Sequence, residues 1–236
     1  MTDALYLKDS YLKGCDAKVE SVNGKEVVLD RTVFYPRGGG QPGDTGYISA
    51  SGSEFRVLNT IKKDGRIIHE LEREVGMKAG DFVRCTLDWE RRYRLMRMHT
   101  AAHVLGSMMF NELGAMITGN QLEIDKTRFD FNLGEFDRAK FDAAVAKANE
   151  ALSRSVELRV YSLPREEAMK IPGVVKLAGA LPPAISELRI VEIPGVDIQA
   201  DGGTHVHNLS EVGRIEIMKL ENKGKENRRI YFTLIP

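Results

Sequence analysis

The strongest constraint on the fold is a change of hydrophobic period at Trp89. From residue 1 to about 88, short runs of strand character alternate with turn residues. "AKVESV" and "KEVVLD" flank Asn23-Gly24, and "PRGGGQPGDTG", "YISA", "FRVLNTIKK", Asp64-Gly65, "RIIHEL" and "DFVRCTLD" follow. Asn-Gly between such runs is a strong hairpin signal, with positive φ expected at both residues. Short strands at regular spacing with this many glycine turns predict a small antiparallel barrel that needs no helix.

From Trp89 onward the period becomes helical. In "DWERRYRLMRMHTAAHVLGSMMFNELG", Trp89, Tyr93, Met96, Val104 and Met108 recur at helical spacing, and Gly114 supplies the stop. "KTRFDFNL" alternates as a strand, and "FDRAKFDAAVAKANEALSRS" reads as an amphipathic helix capped by Asp137. "VELRVYSL", "ISELRIVEI", "GRIEIMKLE" and "RRIYFTLI" read as strands, with Pro164 starting a short helix at "REEAMKI". The expected architecture is α+β overall: a β-barrel domain over 1–88 carrying a glycine-rich motif, then a domain over 89–236 with long helices on one face of a sheet.

Composition narrows the function classes. The 236 residues are 42% hydrophobic, enough for a packed core, and no apolar run approaches the roughly 18 to 20 residues of a membrane span. "MTDALYLKDSYLKG" lacks the pattern of a signal peptide, so a cytoplasmic protein is expected. Cys15 and Cys85 are far apart with no CxxC or CxxH spacing, which suggests neither a disulfide framework nor a cysteine-rich metal site. Lys+Arg and Asp+Glu are equal at 34 each, so any contact with a polyanion must be local. "RRYRLMR" (Arg91, Arg92, Arg94 and Arg97) and "KGKENRR" (Lys223 to Arg229) are the two candidate patches, although a solvated face accounts for most such side chains.

The chemistry concentrates in two segments. "HTAAH" places His99 and His103 one turn apart on one helix face, close enough to share an ion. Thr100 stands where a zinc protease needs glutamate, so that reading fails. About a hundred residues later, "DGGTHVHN" offers His205 in a glycine turn, completing the three nitrogen donors usual for a catalytic zinc. His207, by alternation along a strand, could also serve; the alternative is an exposed strand residue.

In order, "FYPRGGGQPGDTG", "HTAAH", "TRFDF" and "DGGTHV" resemble AlaX, the free-standing relatives of the alanyl-tRNA synthetase editing domain, over about Val33 to Gly213. The chain length is similar to the medium-length AlaX form. The resemblance implies a translation-protein type barrel followed by a two-layer editing domain shared with threonyl-tRNA synthetase. It also implies a hydrolase that removes serine or glycine from tRNA(Ala), and one Zn2+ per chain. The family's zinc pattern carries cysteine four residues before its last histidine, where this sequence has Asp201. His99, His103, Asp201 and His205 remain a feasible ligand set, though loss of the thiolate shifts preference towards harder ions. Asp201 could instead accept a proton from water or hold a histidine.

Rejecting alanine while accepting serine calls for polar groups around the serine hydroxyl. Gln41 and Thr45 of "GGGQPGDT", and Thr118 and Gln121 of "MITGNQ", are the candidates, each equally explained by turn structure. Phe129 and Phe131 are expected in the core, while Asp130 either orients a metal-binding histidine or pairs with Arg128. The arginines preceding His99 suit acceptor-end phosphates. Two other readings are a metal-free tRNA-binding module and a zinc hydrolase of another small ester. The oligomeric state, monomer or dimer, is open.

Overall fold

The computed structural model describes residues 2–174 and 186–236; Ile185 of the expected strand "ISELRIVEI" lies outside the described residues. The chain divides into two compact units, Met1–Leu95 and Met96–Pro236, the division falling inside the long helix rather than at residues 88 and 89.

In the first unit, β1 (Asp3–Ala4) and the single-turn α1 (Leu5–Lys8) precede β2 (Gly14–Asn23), β3 (Glu26–Leu29) and β4 (Arg31–Thr32). Then come β5 (Gly46–Ala50), β6 (Ser53–Lys63), β7 (Arg66–Leu71) and β8 (Phe82–Leu87). Six strands close an antiparallel barrel in the order β2-β3-β7-β6-β5-β8, and β1 pairs with β4 in parallel. The alternation in β8, exposed at Phe82, Arg84 and Thr86 and buried at Val83, Cys85 and Leu87, shows the barrel's inside and outside directly. Leu29, Phe34, Ile48, Val57 and Leu71 fill the interior.

One detail of this unit differs from expectation. Asn23 ends β2 and pairs with Glu26, so the turn residues are Gly24 and Lys25, and only Gly24 has positive φ (57°). That is the pattern of a II′ turn, which needs glycine at its first central position. The two cysteines, distant in sequence, face each other across β2 and β8 as buried free thiols.

α2 (Trp89–Leu113) is more deeply buried than a one-sided stripe implies: of residues Leu95–Leu105 only Arg97 is not buried. A helix enclosed on all sides belongs to the interior rather than the surface. The second unit continues with β9 (Met116–Leu122), β10 (Thr127–Asn132), α3 (Arg138–Leu152), β11 (Arg159–Pro164), α4 (Arg165–Ala168), β12 (Glu187–Ile193), β13 (Asp197–Ala200), a 3-10 turn (Leu209–Glu211), β14 (Arg214–Asn222) and β15 (Asn227–Ile235).

One sheet runs β14-β15-β10-β9 and another β11-β12-β13. β9 corrects the reading of "MITGNQ" as a loop. Phe129, Phe131 and Phe232 are buried on the inner face with edge-on ring contacts, as expected of the "TRFDF" phenylalanines. Full burial of each ring contributes about 1.5 to 3 kcal/mol. Asp137 caps α3 by accepting from Lys140 N at 3.1 Å, and the helix buries Phe141, Ala144, Ala148 and Ala151. Asn149 on the same helix bonds both backbone groups of Ile215 on β14. Around the second sheet, Ala168, Val174, Leu188 and Ile190 form a smaller core.

Candidate metal centre

His99 and His103 project from α2, and Asp201 and His205 from the irregular segment after β13. Their ligand atoms all lie within 4.8 Å of one another. The three imidazole centroids are 4.4 to 5.1 Å apart. His205 Nε2 is 3.0 Å from Asp201 Oδ2, and His99 Nε2 is 3.7 Å from Asp201 Oδ1.

The loop reaches the helix because residue 203 has no side chain. A Cβ at Gly203 would stand 2.2 Å from His99 Cε1 and 2.4 Å from its Nδ1, inside any tolerable contact. Gly203 N donates to Asp201 Oδ2 at 2.6 Å, and Arg189 Nη1 bonds the carbonyls of Asp201 and Gly203. The close approach, the carboxylate and the strand anchor form one local device.

Two further imidazole nitrogens have oriented partners. His103 Nδ1 lies 3.0 Å from Asp197 Oδ2, and Gln199 Nε2 donates to that same oxygen at 2.8 Å. His205 Nδ1 lies 3.1 Å from the Thr100 hydroxyl. The residues that hold the histidines were thus missed by sequence reasoning, which turned to Asp130. Asp130 is instead engaged by Arg229 through two bonds, at 2.5 and 3.0 Å, with Arg128 at 3.7 Å. The available signal was in β13, where Asp197 and Gln199 are buried while Ile198 and Ala200 face the smaller core, a strand with its polar residues inside.

Burial pushes His99 well below its ordinary pKa and His205 down to about 4, in both cases against the pull of Asp201. Burial opposes the charge of Asp201 as well, but His99, the His205 hydrogen bond and His103 together outweigh it and hold the carboxylate well below its usual range. Neutral imidazoles at His99 and His205 beside an ionised Asp201 are the protonation states that a divalent cation requires. Three nitrogens and one oxygen in this compass fit zinc, and also suit other first-row ions of similar preference.

The other candidates are placed differently. His207 is exposed while His205 is buried. The segment carrying them is not a strand, so alternation does not apply; Asn208 caps the 3-10 turn that follows, and the exposed His207 is not part of the cluster. Thr118 is exposed at the bulge where Asp130 and Phe131 pair with Gly119 and Ile117, and the neighbouring Gln121 is bonded to Glu123. Gln41 and Thr45 belong to the first unit. Gln41 is fully buried at the end of a tight turn in which its backbone and that of Gly38 exchange hydrogen bonds, with Gly39 and Gly40 both at positive φ. The Thr45 hydroxyl lies 3.4 Å from Asp88, the residue before α2.

The arginine cluster does not act as one patch. Arg92 is fully buried: it pairs with Asp44 and donates to the carbonyls of Ser10 and Val33, so its expected role on phosphate is corrected to a structural one. Arg91 donates to Gly43 O, and Arg97 to Val212 O through two nitrogens. Arg94 is the exposed member.

The chain resembles known proteins over its whole length. Residues 7–91 match the model for class II (A) tRNA synthetases, and residues 188–231 match the second additional domain of threonyl and alanyl tRNA synthetases. The chain is 44% identical over 238 residues to the alanyl-tRNA editing protein AlaX-M of Saccharolobus solfataricus and 50% identical over 242 residues to that of Methanosarcina barkeri, covering 100% of each chain in both cases. It is also 37% identical over 220 residues to the alanine–tRNA ligase of Ignicoccus hospitalis, across 92% of this chain and 24% of the ligase.

Proposed function

Since the chain belongs to the AlaX-M family of alanyl-tRNA editing proteins, we propose that it hydrolyses the ester joining serine, or glycine, to tRNA(Ala), acting in trans and in the cytoplasm. The observation that carries this reading is the convergence of His99, His103, Asp201 and His205 within 4.8 Å. Zinc held by these residues would supply a Lewis acid that polarises oxygen.

The chain's own groups supply the rest. Asp201 stays ionised, and its Oδ1 is the oxygen not engaged by Gly203 N and His205. That oxygen is the acceptor for the proton of the attacking water. Water adds to the ester carbon, the bond to the ribose oxygen breaks, and the proton held by Asp201 passes to that departing oxygen. The amino acid and the free tRNA end result.

Serine is read through its hydroxyl, because a polar site discriminates against a substrate lacking the group by as much as ~10,000-fold, whereas an apolar pocket senses a methylene weakly. Thr118 is exposed and available for that contact, while Gln41 and Thr45 hold the glycine-rich segment in its conformation. Arg94, the exposed member of the arginine cluster, meets a phosphate of the tRNA.

The test is deacylation of Ser-tRNA(Ala), Gly-tRNA(Ala) and Ala-tRNA(Ala) by protein whose metal content is measured on the same sample, beside His103→Ala. Rapid loss of serine with alanine spared, abolished together with metal retention in the variant, is the expected result. Full activity of His103→Ala would remove the metal-centred model. Binding of tRNA without metal or turnover would make the protein a binding module.

A further inference from the structure

We infer that Asp197 is a positioning residue for the proposed centre, which presets His103 as a ligand through Nε2 before any ion arrives. The inference rests on reading the four-residue cluster as a metal site, but its structural basis lies outside that cluster.

Asp197 is 6% exposed, at the start of β13, and its Oδ2 receives both the Gln199 amide at 2.8 Å and His103 Nδ1 at 3.0 Å. Asp197 Oδ2 already acts as an acceptor towards the Gln199 amide, and the imidazole nitrogen that shares it is then the donor. The Nδ1–H tautomer follows, and the Nε2 lone pair is left for the cluster. Gln199 lies two residues on, along the same strand face, and fixes the carboxylate that fixes the ring. A carboxylate in this place also increases the donor strength of the imidazole.

His205 provides the contrast. Its Nδ1 faces a threonine hydroxyl, which can donate or accept, and its Nε2 lies 3.0 Å from Asp201 Oδ2. That imidazole can hold a proton towards Asp201 in the metal-free protein and change tautomer when an ion binds. His103 has no such freedom, because the group behind it only accepts. Asp197 therefore sets one ligand rigidly while Thr100 leaves the other adjustable.

The experiment uses the full chain and two variants, Asp197→Asn, of equal size and still able to accept, and Asp197→Ala, with circular dichroism to verify folding. The first readout is the histidine tautomer in metal-free protein, from long-range proton–nitrogen correlation spectra. His103 is expected as Nδ1–H in the natural protein and to lose that preference in Asp197→Ala. The second is zinc affinity by competition with a chromophoric chelator, expected to fall about 10- to 100-fold in Asp197→Asn. An Nε2–H tautomer for His103 in the natural protein, or unchanged tautomer and affinity in folded Asp197→Ala, would overturn the assignment. Should the natural protein bind no zinc, the metal reading fails, and the tautomer spectra still decide whether Asp197 presets the ring.

Discussion

Acid should destabilise the barrel through one histidine. His69 on β7 is fully buried, its Nδ1 3.0 Å from Val27 O, its Nε2 2.8 Å from the Thr32 hydroxyl and its ring edge-on to Phe34. Burial lowers its pKa to about 4, against the carbonyl hydrogen bond. An unfolded chain protonates this histidine near pH ~6.5, so as pH falls from there towards about 4 the unfolded state binds a proton that the folded state refuses. The stability contributed by neutral burial is fully present above that window and is lost within it. At pH 5 the loss is about 1.5 pH units times ~1.4 kcal/mol, or about 2 kcal/mol.

The assay is urea unfolding at pH 7 and pH 5 in the natural protein and in His69→Gln, followed by tryptophan emission. Trp89 is the single tryptophan and packs against Tyr11 and Tyr93 within the first unit, so its emission reports that unit. A uniform cost of the substitution cancels in the difference between the two pH values. The acid sensitivity should shrink by about 2 kcal/mol in the variant. Equal pH dependence in both proteins would refute the argument.

Other substitutions probe different links. Gly203→Ala places a methyl against the His99 ring and should abolish metal retention, measured by elemental analysis, while the barrel's unfolding midpoint stays unchanged. Arg92→Met leaves the Asp44 carboxylate buried without its cation and should cost about 3 to 5 kcal/mol in urea unfolding, far beyond a surface arginine. Asp201→Cys restores a soft ligand and should raise zinc affinity, whereas Asp201→Ala should lower it; an Ala variant equal to the natural protein in chelator competition would exclude Asp201 as a ligand.

Much of this was legible because periodicity and turn chemistry are local. The barrel strands, α2 and the Asp137 cap need only neighbouring residues to declare them. The metal candidates were legible because imidazoles at i and i+4 with a glycine-rich histidine turn form an unusual pair. What escaped depends on three-dimensional company. Arg92 looks like its neighbours in "RRYRLMR", and only the fold places Asp44 against it. Asp197 sits in "GVDIQAD" with no motif, and its meaning comes from His103, 94 residues away. His207 is exposed, as the strand-residue reading expected, and only its strand setting fails, because the chain there is irregular.

The facing thiols of β2 and β8 also make a clock. Cys15 is 9% exposed and Cys85 0%, they are the chain's only cysteines, and both belong to the first unit. Hydrogen bonding with Cys15 and burial push the Cys85 thiol up, away from the reactive thiolate. At Cys85 an alkylating reagent must therefore wait for the seam between β2 and β8 to part. With closing faster than alkylation, the labelling rate relative to a free thiol gives the population of the opened seam, each tenfold slowing corresponding to about 1.4 kcal/mol of opening free energy. The Cys85 sulfur, outside the proposed chemistry, thus times the breathing of the barrel without any label being engineered in.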